Sequence, residues 1–154
     1  MDVSEITKPY QGPHPLTVTH RVRWGDCDPA GIIYTPKVLD YAVELVEVWN
    51  REVLGANWMK LNFEMGMGTP TVRAEVDFIS PPAPDHEIIS EIRVEKLGNS
   101  SITFLINGRD ESGAEIYQAR LVSCLIAQPD FKSIPFPDEF RARITAYRQA
   151  CGDT

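Results

Sequence analysis

Two aspartates bracket a cysteine in the stretch WGDCDPAGIIYTPK, residues 24–37, and the chain then runs through Pro29 and Gly31 into a helix start. A carboxylate beside the backbone N–H groups of a helix N-terminus sits where an electrophilic carbonyl can bind, and those N–H groups stabilise the oxyanion that forms. Gly31 allows close approach of the backbone to a ligand. Such an arrangement suits acyl transfer from a thioester. A thiolate leaves with little acid assistance, so one carboxylate suffices as nucleophile or general base. The same Asp-Pro pair also reads as an ordinary turn ahead of a helix.

Cys27 is the competing nucleophile, but carboxylates on both sides raise a thiol pKa and no histidine lies in the segment to activate it. Asp26 and Asp28 offer only two oxygen ligands at alternate turn positions, and no Asp/His cluster follows, so no metal site is expected. His14, His20 and His86 are scattered and read as structural. Cys27, Cys124 and Cys151 are odd in number and lack CxxC spacing, which argues against a disulfide framework or a zinc knuckle and for a reducing compartment.

The elements that must position this stretch follow from periodicity. Residues 16–24 alternate as a first strand. In TPKVLDYAVELVEVWNREVLG, residues 35–55, Leu39, Ala42, Val43, Val46, Trp49 and Val53 recur at helical spacing and are expected to form the buried stripe. Lys37, Asp40, Glu44, Glu47 and Arg51 fill the opposite face. Thr35 suits the N-cap, Pro36 the first helical position and Gly55 the stop. From residue 71 to 79 the period is two: Val72, Ala74, Val76 and Phe78 share one face, and Arg73, Glu75 and Asp77 the other, as in a half-buried strand. Further strands are expected over 86–96, 102–109 and 114–127, separated by PPAPD, LGNSS and DESG, in an antiparallel meander. FPDEFRARITAYRQACG has acids in its first turn and arginines later, as a short terminal helix should.

The order is α+β: one sheet burying one principal helix. Residues 1–15, with three prolines, read as an extended arm, and residues 16–154 as a single domain. ITFLI and LVSCLIA are apolar on both faces, whereas a sheet with one solvated face should alternate. A second subunit is expected to cover that face, the alternative being strands fully buried in a tighter monomer.

Composition bounds the partners. The chain has 154 residues, 43% apolar and 24% charged, which is globular. An excess of seven negative charges argues against nucleic acid or an anionic membrane as a general partner. No signal-peptide pattern and no run long enough to span a bilayer occurs, so a soluble cytoplasmic protein is expected.

GDCDPAGIIYTP, the long helix after it, and GTPTVRAEVDFISP together resemble the hotdog-fold acyl-CoA thioesterases of the 4-hydroxybenzoyl-CoA thioesterase type, across residues 17–128. The resemblance implies a five-stranded antiparallel sheet wrapped around one long helix. It also implies dimers joined by continuing the sheet, often paired into tetramers, and hydrolysis without metal or organic cofactor, coenzyme A being part of the substrate. It places the catalytic carboxylate on Asp28 and the oxyanion-binding N–H on Thr35. The family commonly has an aromatic residue at that position; here Tyr34 stands one place earlier. Ligand contacts fall on Gly68, Thr69 and Pro70, with Thr71 following, and on the turn Gly98, Asn99 and Ser100. In the hydroxybenzoyl-specific enzyme the helix carries an acid that receives the phenol, and the matching residue here is Val43. An unpaired phenol in an apolar pocket costs about 1–3 kcal/mol, so a plain aryl or aliphatic acyl group is implied. Trp58, and with it Trp49, is a candidate pocket wall.

The expected function is hydrolysis of an acyl-CoA to free acid and coenzyme A by a homo-oligomer. A hotdog hydratase or dehydratase would need a base such as histidine near the helix start, where the sequence has none. A noncatalytic acyl-binding module would keep the fold without the chemistry.

Overall fold

The structure, a computed structural model, describes residues 9–153. Of the expected arm, residues 1–8 lie outside the described residues. From Pro9 the chain runs as coil, with the Tyr10 ring packed against His14 and Tyr147. Strand β1 (Leu16–Arg21) leads to a short 3₁₀ turn at Trp24–Asp26 and then to α1 (Thr35–Trp49), which continues as a wider π-type turn over Asn50–Leu54. There follow a second π-type turn (Lys60–Glu64), β2 (Met67–Gly68), β3 (Thr71–Phe78), β4 (Glu87–Leu97), β5 (Ser101–Arg109), β6 (Glu115–Cys124), β7 (Ile126–Ala127), β8 (Lys132–Ser133) and α2 (Asp138–Ala150).

The main sheet has the order β1-β4-β5-β6-β3, antiparallel throughout. The expected meander holds for β4, β5 and β6. β3 departs from it and pairs with β6, because residues 79–86 carry three prolines and cannot form a tight hairpin; they cross the end of the sheet instead. β2, β7 and β8 form a separate small sheet.

α1 lies on the sheet's inner face. Val38, Tyr41, Ala42, Leu45, Val46 and Trp49 are buried in one core with Ile88 and Ile92 of β4, Phe104 and Ile106 of β5, and Ala119 and Leu121 of β6. The buried stripe is thus rotated from the expected one. Leu39 and Val43 remain 36% and 39% exposed, because the apolar arc of the helix is wider than one sheet covers. Thr35 is the first helical residue rather than the N-cap; Tyr34 holds the cap position in extended backbone and makes no side-chain cap bond. Gly55 ends the helical segment with a φ of 74°, a left-handed conformation that glycine adopts without strain. α2 buries Phe140, Ile144 and Tyr147. The Tyr147 hydroxyl donates to the Ile92 carbonyl at 2.6 Å and accepts the Leu16 N–H at 2.9 Å, tying α2 to β1 and β4.

The sheet's outer face is not the apolar surface expected from ITFLI and LVSCLIA. Arg120 pairs with Glu95 at 2.7 Å and lies 3.7 Å from Glu75, and Gln118 donates to Asn107 at 2.8 Å. Apolar exposure sits instead at the β3 edge, where every residue but Val76 is exposed and Val72 and Phe78 are 62% and 57% accessible. The alternation in β3 shows at Val76, which packs against the core, while the rest of the strand stays exposed within one chain. Among the described residues, no helix is long and apolar enough to cross a membrane.

Candidate active site

The Asp28 segment folds into a small hairpin. Asp28 N–H donates to the Ile32 carbonyl at 3.0 Å, Gly31 N–H donates to the Asp28 carbonyl at 3.0 Å, and Cys27 pairs across to Ile33. Gly31 takes the turn with a φ of 76°, a backbone state that a residue with Cβ resists. At the base, Tyr34 N–H donates to the Asp26 carbonyl at 2.8 Å, and Ile33 N–H ties the hairpin to Pro82 at 3.1 Å. The chain therefore enters α1 directly from the hairpin, with the first helical residue, Thr35, two places after Ile33 of the Cys27–Ile33 bridge.

Asp28 is half-buried. Its Oδ1 accepts the Ala30 N–H at 2.8 Å, while Oδ2 has no partner among the described residues. At the helix start, Tyr34 and Lys37 spend their N–H groups on the Asp26 and Tyr34 carbonyls, and Pro36 has none. Thr35 N–H is thus a donor with no acceptor among the described residues, at the positive end of the helix dipole. Beside it opens an apolar cleft of about 260 Å³ lined by Ile33, Thr35, Val38, Phe78, Ile79 and Ile116, among others. Thr35, Leu39 and Val43 follow at i, i+4 and i+8, a ridge along the flank of α1 that the sheet leaves uncovered.

Asp26 is the other carboxylate of the motif, and it is 4% exposed. Its Oδ2 accepts from Tyr41 Oη at 2.8 Å, Arg23 N–H at 3.1 Å and Arg23 Nε at 3.3 Å, and Lys37 Nζ lies 3.9 Å from Oδ1. Burial pushes its pKa up, but the hydrogen bonds from Tyr41 and Arg23 outweigh that, so Asp26 stays ionised below the usual carboxylate range. Tyr41 moves the other way: burial and the Asp26 carboxylate raise its pKa and keep it a donor. Periodicity does not link residues 26 and 41, so neither was a site candidate from sequence. The signal was a phenol on the buried face of a helix, which requires a partner. Burial first, then the charges of Asp26 and Asp28, also push the Cys27 thiol up, as expected, which disfavours the thiolate. Among the described residues, no group of three or more His, Cys, Asp or Glu side chains could hold a metal ion.

The remaining candidates lie elsewhere. Residues 68–71 run from the end of β2 to the start of β3, where Thr71 pairs with Ser123, and the Thr69 and Ser123 hydroxyls are buried without partners among the described residues. The turn of residues 98–100 sits at the same end of the sheet, where Ser101 pairs with Cys124. Arg141 donates to the Gly98 and Asn99 carbonyls at 2.9 and 3.0 Å, and Ser100 accepts the Leu125 N–H at 2.7 Å. Trp58 is half-buried and joins this group through Asn62, which donates to its carbonyl and accepts from Gln128. Trp49 is fully buried against Phe104 and Tyr147 and is core, not pocket wall. Asp28, Gly31 and Thr35 are gathered at the other end, beyond Phe78. The eight residues of β3 separate the two groups by about 23 Å.

The family model for the thioesterase-like superfamily matches residues 22–144. A solved structure of a thioesterase superfamily protein from Jannaschia sp. is 35% identical, covering 88% of this chain and 96% of that one with a TM-score of 0.79. Similar in fold are a 1,4-dihydroxy-2-naphthoyl-CoA thioesterase from Synechocystis (21% identity, 84% and 94% covered, TM-score 0.75) and a 4-hydroxybenzoyl-CoA thioesterase variant in complex with 4-hydroxybenzoyl-CoA (18%, 84% and 97%, TM-score 0.78). No curated protein matches the chain. With the helix-wrapping antiparallel sheet already described, these matches make the chain a hotdog-fold member of the thioesterase-like superfamily.

Proposed function

We propose that the protein hydrolyses acyl-CoA thioesters, with Asp28 as the catalytic carboxylate and Thr35 N–H as the oxyanion donor. The observations that carry this reading are an uncommitted carboxylate oxygen on Asp28, in the hairpin that leads directly into α1, and an unspent N–H on Thr35, the first residue of that helix. The thioester carbonyl oxygen accepts from Thr35 N–H, and negative charge developing there is stabilised by the helix start. Asp28 attacks the carbonyl carbon or takes a proton from the attacking water; the acyl group gains hydroxyl, and the departing thiolate gains the proton. No metal or organic cofactor enters the scheme. A thiol-trapping assay over a panel of acyl-CoA substrates tests it, with release of thiol and free acid in equal amounts as the expected result.

The acyl group is apolar in this reading. Neither the cleft beside Thr35 nor the Thr35–Leu39–Val43 ridge carries a charged side chain, so nothing there would receive a phenol or a second acid. Because Val43 is 39% exposed in one chain, Val43→Asp is expected to fold. It should raise the hydroxybenzoyl-to-benzoyl ratio of kcat/KM about ten- to a hundredfold by supplying the missing acceptor. An unchanged ratio in a folded variant takes Val43 out of the pocket.

The site is shared between two copies. Residues 68–71 and 98–100 lie too far from Asp28 in one chain to hold the same thioester. Pairing β3 with β3 of a second copy about a two-fold axis brings the start of one strand beside the end of the other. It also covers Val72 and Phe78, and it continues the sheet. Light scattering is expected to give twice or four times the chain mass at micromolar concentration. Phe78→Lys should yield folded monomer with little activity; a wild-type monomer under those conditions contradicts the shared site.

A further inference from the structure

We propose that Asp26 and Tyr41 are positioning residues that clamp the Asp28 hairpin to α1 and so fix the Asp28 carboxylate relative to the Thr35 N–H. This rests on the roles just given to Asp28 and Thr35. Asp26 holds three parts of the chain at once. Its backbone carbonyl takes the N–H of Tyr34, the residue immediately before the oxyanion donor. Its carboxylate takes the N–H and Nε of Arg23, ahead of the hairpin, and the hydroxyl of Tyr41, more than a turn into the helix. Tyr41 is itself aimed: its ring stacks on His20 at 4.4 Å and 8°, and His20 Nε2 meets Glu44 at 2.9 Å.

Asp26 does not serve as the attacking group. It is 4% exposed, and its Oδ2 is already occupied by three donors, whereas Asp28 keeps a free oxygen. A buried carboxylate is costly to a fold unless fully partnered, and an apolar helix–hairpin contact would serve packing alone at least as well. What the ionic clamp adds is direction. Hydrogen bonds from three segments fix the angle between hairpin and helix, and a misplacement of about 1 Å between reacting groups can cost on the order of a hundredfold in rate.

Tyr41→Phe tests the clamp with the ring stack intact. kcat per folded molecule is expected to fall about ten- to a hundredfold with KM changed less than about threefold, since an orientation effect acts on the chemical step. Asp26→Asn keeps an acceptor for Tyr41 and Arg23 and should retain clearly more activity than Asp26→Ala, a rescue that loss of fold stability alone does not give. Hydrogen exchange at the Tyr34 amide, which donates to Asp26, should quicken at least about tenfold in Tyr41→Phe and Asp26→Ala as that end of the hairpin opens locally. Wild-type kcat in folded Tyr41→Phe, or unchanged exchange at Tyr34, overturns the proposal. If Tyr41→Phe does not fold, the Asp26→Asn and Asp26→Ala pair decides by the same readouts. A wild-type protein inert toward every acyl-CoA would defeat the thioesterase reading instead, and Tyr34 exchange would still show whether the clamp exists.

Discussion

Asp28→Asn is expected to remain folded and assembled and to lose at least about a hundredfold in kcat, the scale set by removing a general base or nucleophile. The substitution is conservative in shape. The amide oxygen it introduces can still accept the Ala30 N–H that Asp28 Oδ1 accepts now, so the hairpin keeps its bonds. What disappears is the ability to attack a carbonyl or take a proton. Circular dichroism and light scattering beside steady-state kinetics separate chemistry from folding. Cys27→Ser is the matched control and should be nearly silent, since burial and the flanking carboxylates hold that thiol protonated. Retention of more than about a tenth of wild-type kcat by Asp28→Asn would move the catalytic role elsewhere.

Thr35→Pro should be almost as damaging, because it deletes one N–H and little else. Position 35 opens α1, where proline fits, and Tyr34 before it has φ −65° and ψ 127°, the extended backbone that a residue preceding proline prefers. Thr35 N–H has no acceptor within the described residues, so its loss breaks no bond of the fold. Removing one oxyanion-hole donor costs about a hundred- to a thousandfold in kcat, and that is the expected loss. Thr35→Ala keeps the N–H and should stay close to wild type. A folded Thr35→Pro with unaltered kcat would show that another group binds the oxyanion.

The elements that signal themselves locally were legible in the sequence. The helix over residues 35–55 announced itself through its apolar period and through Pro36 and Gly55, and the β4–β5–β6 meander through its turns. Which apolar residues the helix buries was less legible: Leu39 and Val43 fit the period as well as Val38 and Leu45, and only the width of the sheet separates them. β3 shows the same limit. Its alternation marks a strand, but its place at the sheet edge depends on the proline-bearing crossover after it. At the site, Asp28 could be picked out by its motif, whereas Asp26 and Tyr41 meet only after folding. The segments at 68–71 and 98–100 read in sequence as parts of one ligand site with Asp28, and the fold sets them at the opposite end of β3. In the proposed dimer they rejoin Asp28 through the second copy.

Thiol release by the purified wild-type protein from apolar acyl-CoA substrates, such as benzoyl-CoA and a medium-chain acyl-CoA, tests the central claim most directly. The expected result is turnover with one free acid formed per thiol, carried by the dimer or tetramer and lost in Asp28→Asn. A folded, assembled protein that releases no thiol above the buffer rate from any of these substrates, or that consumes an enoyl-CoA without releasing thiol, would contradict it.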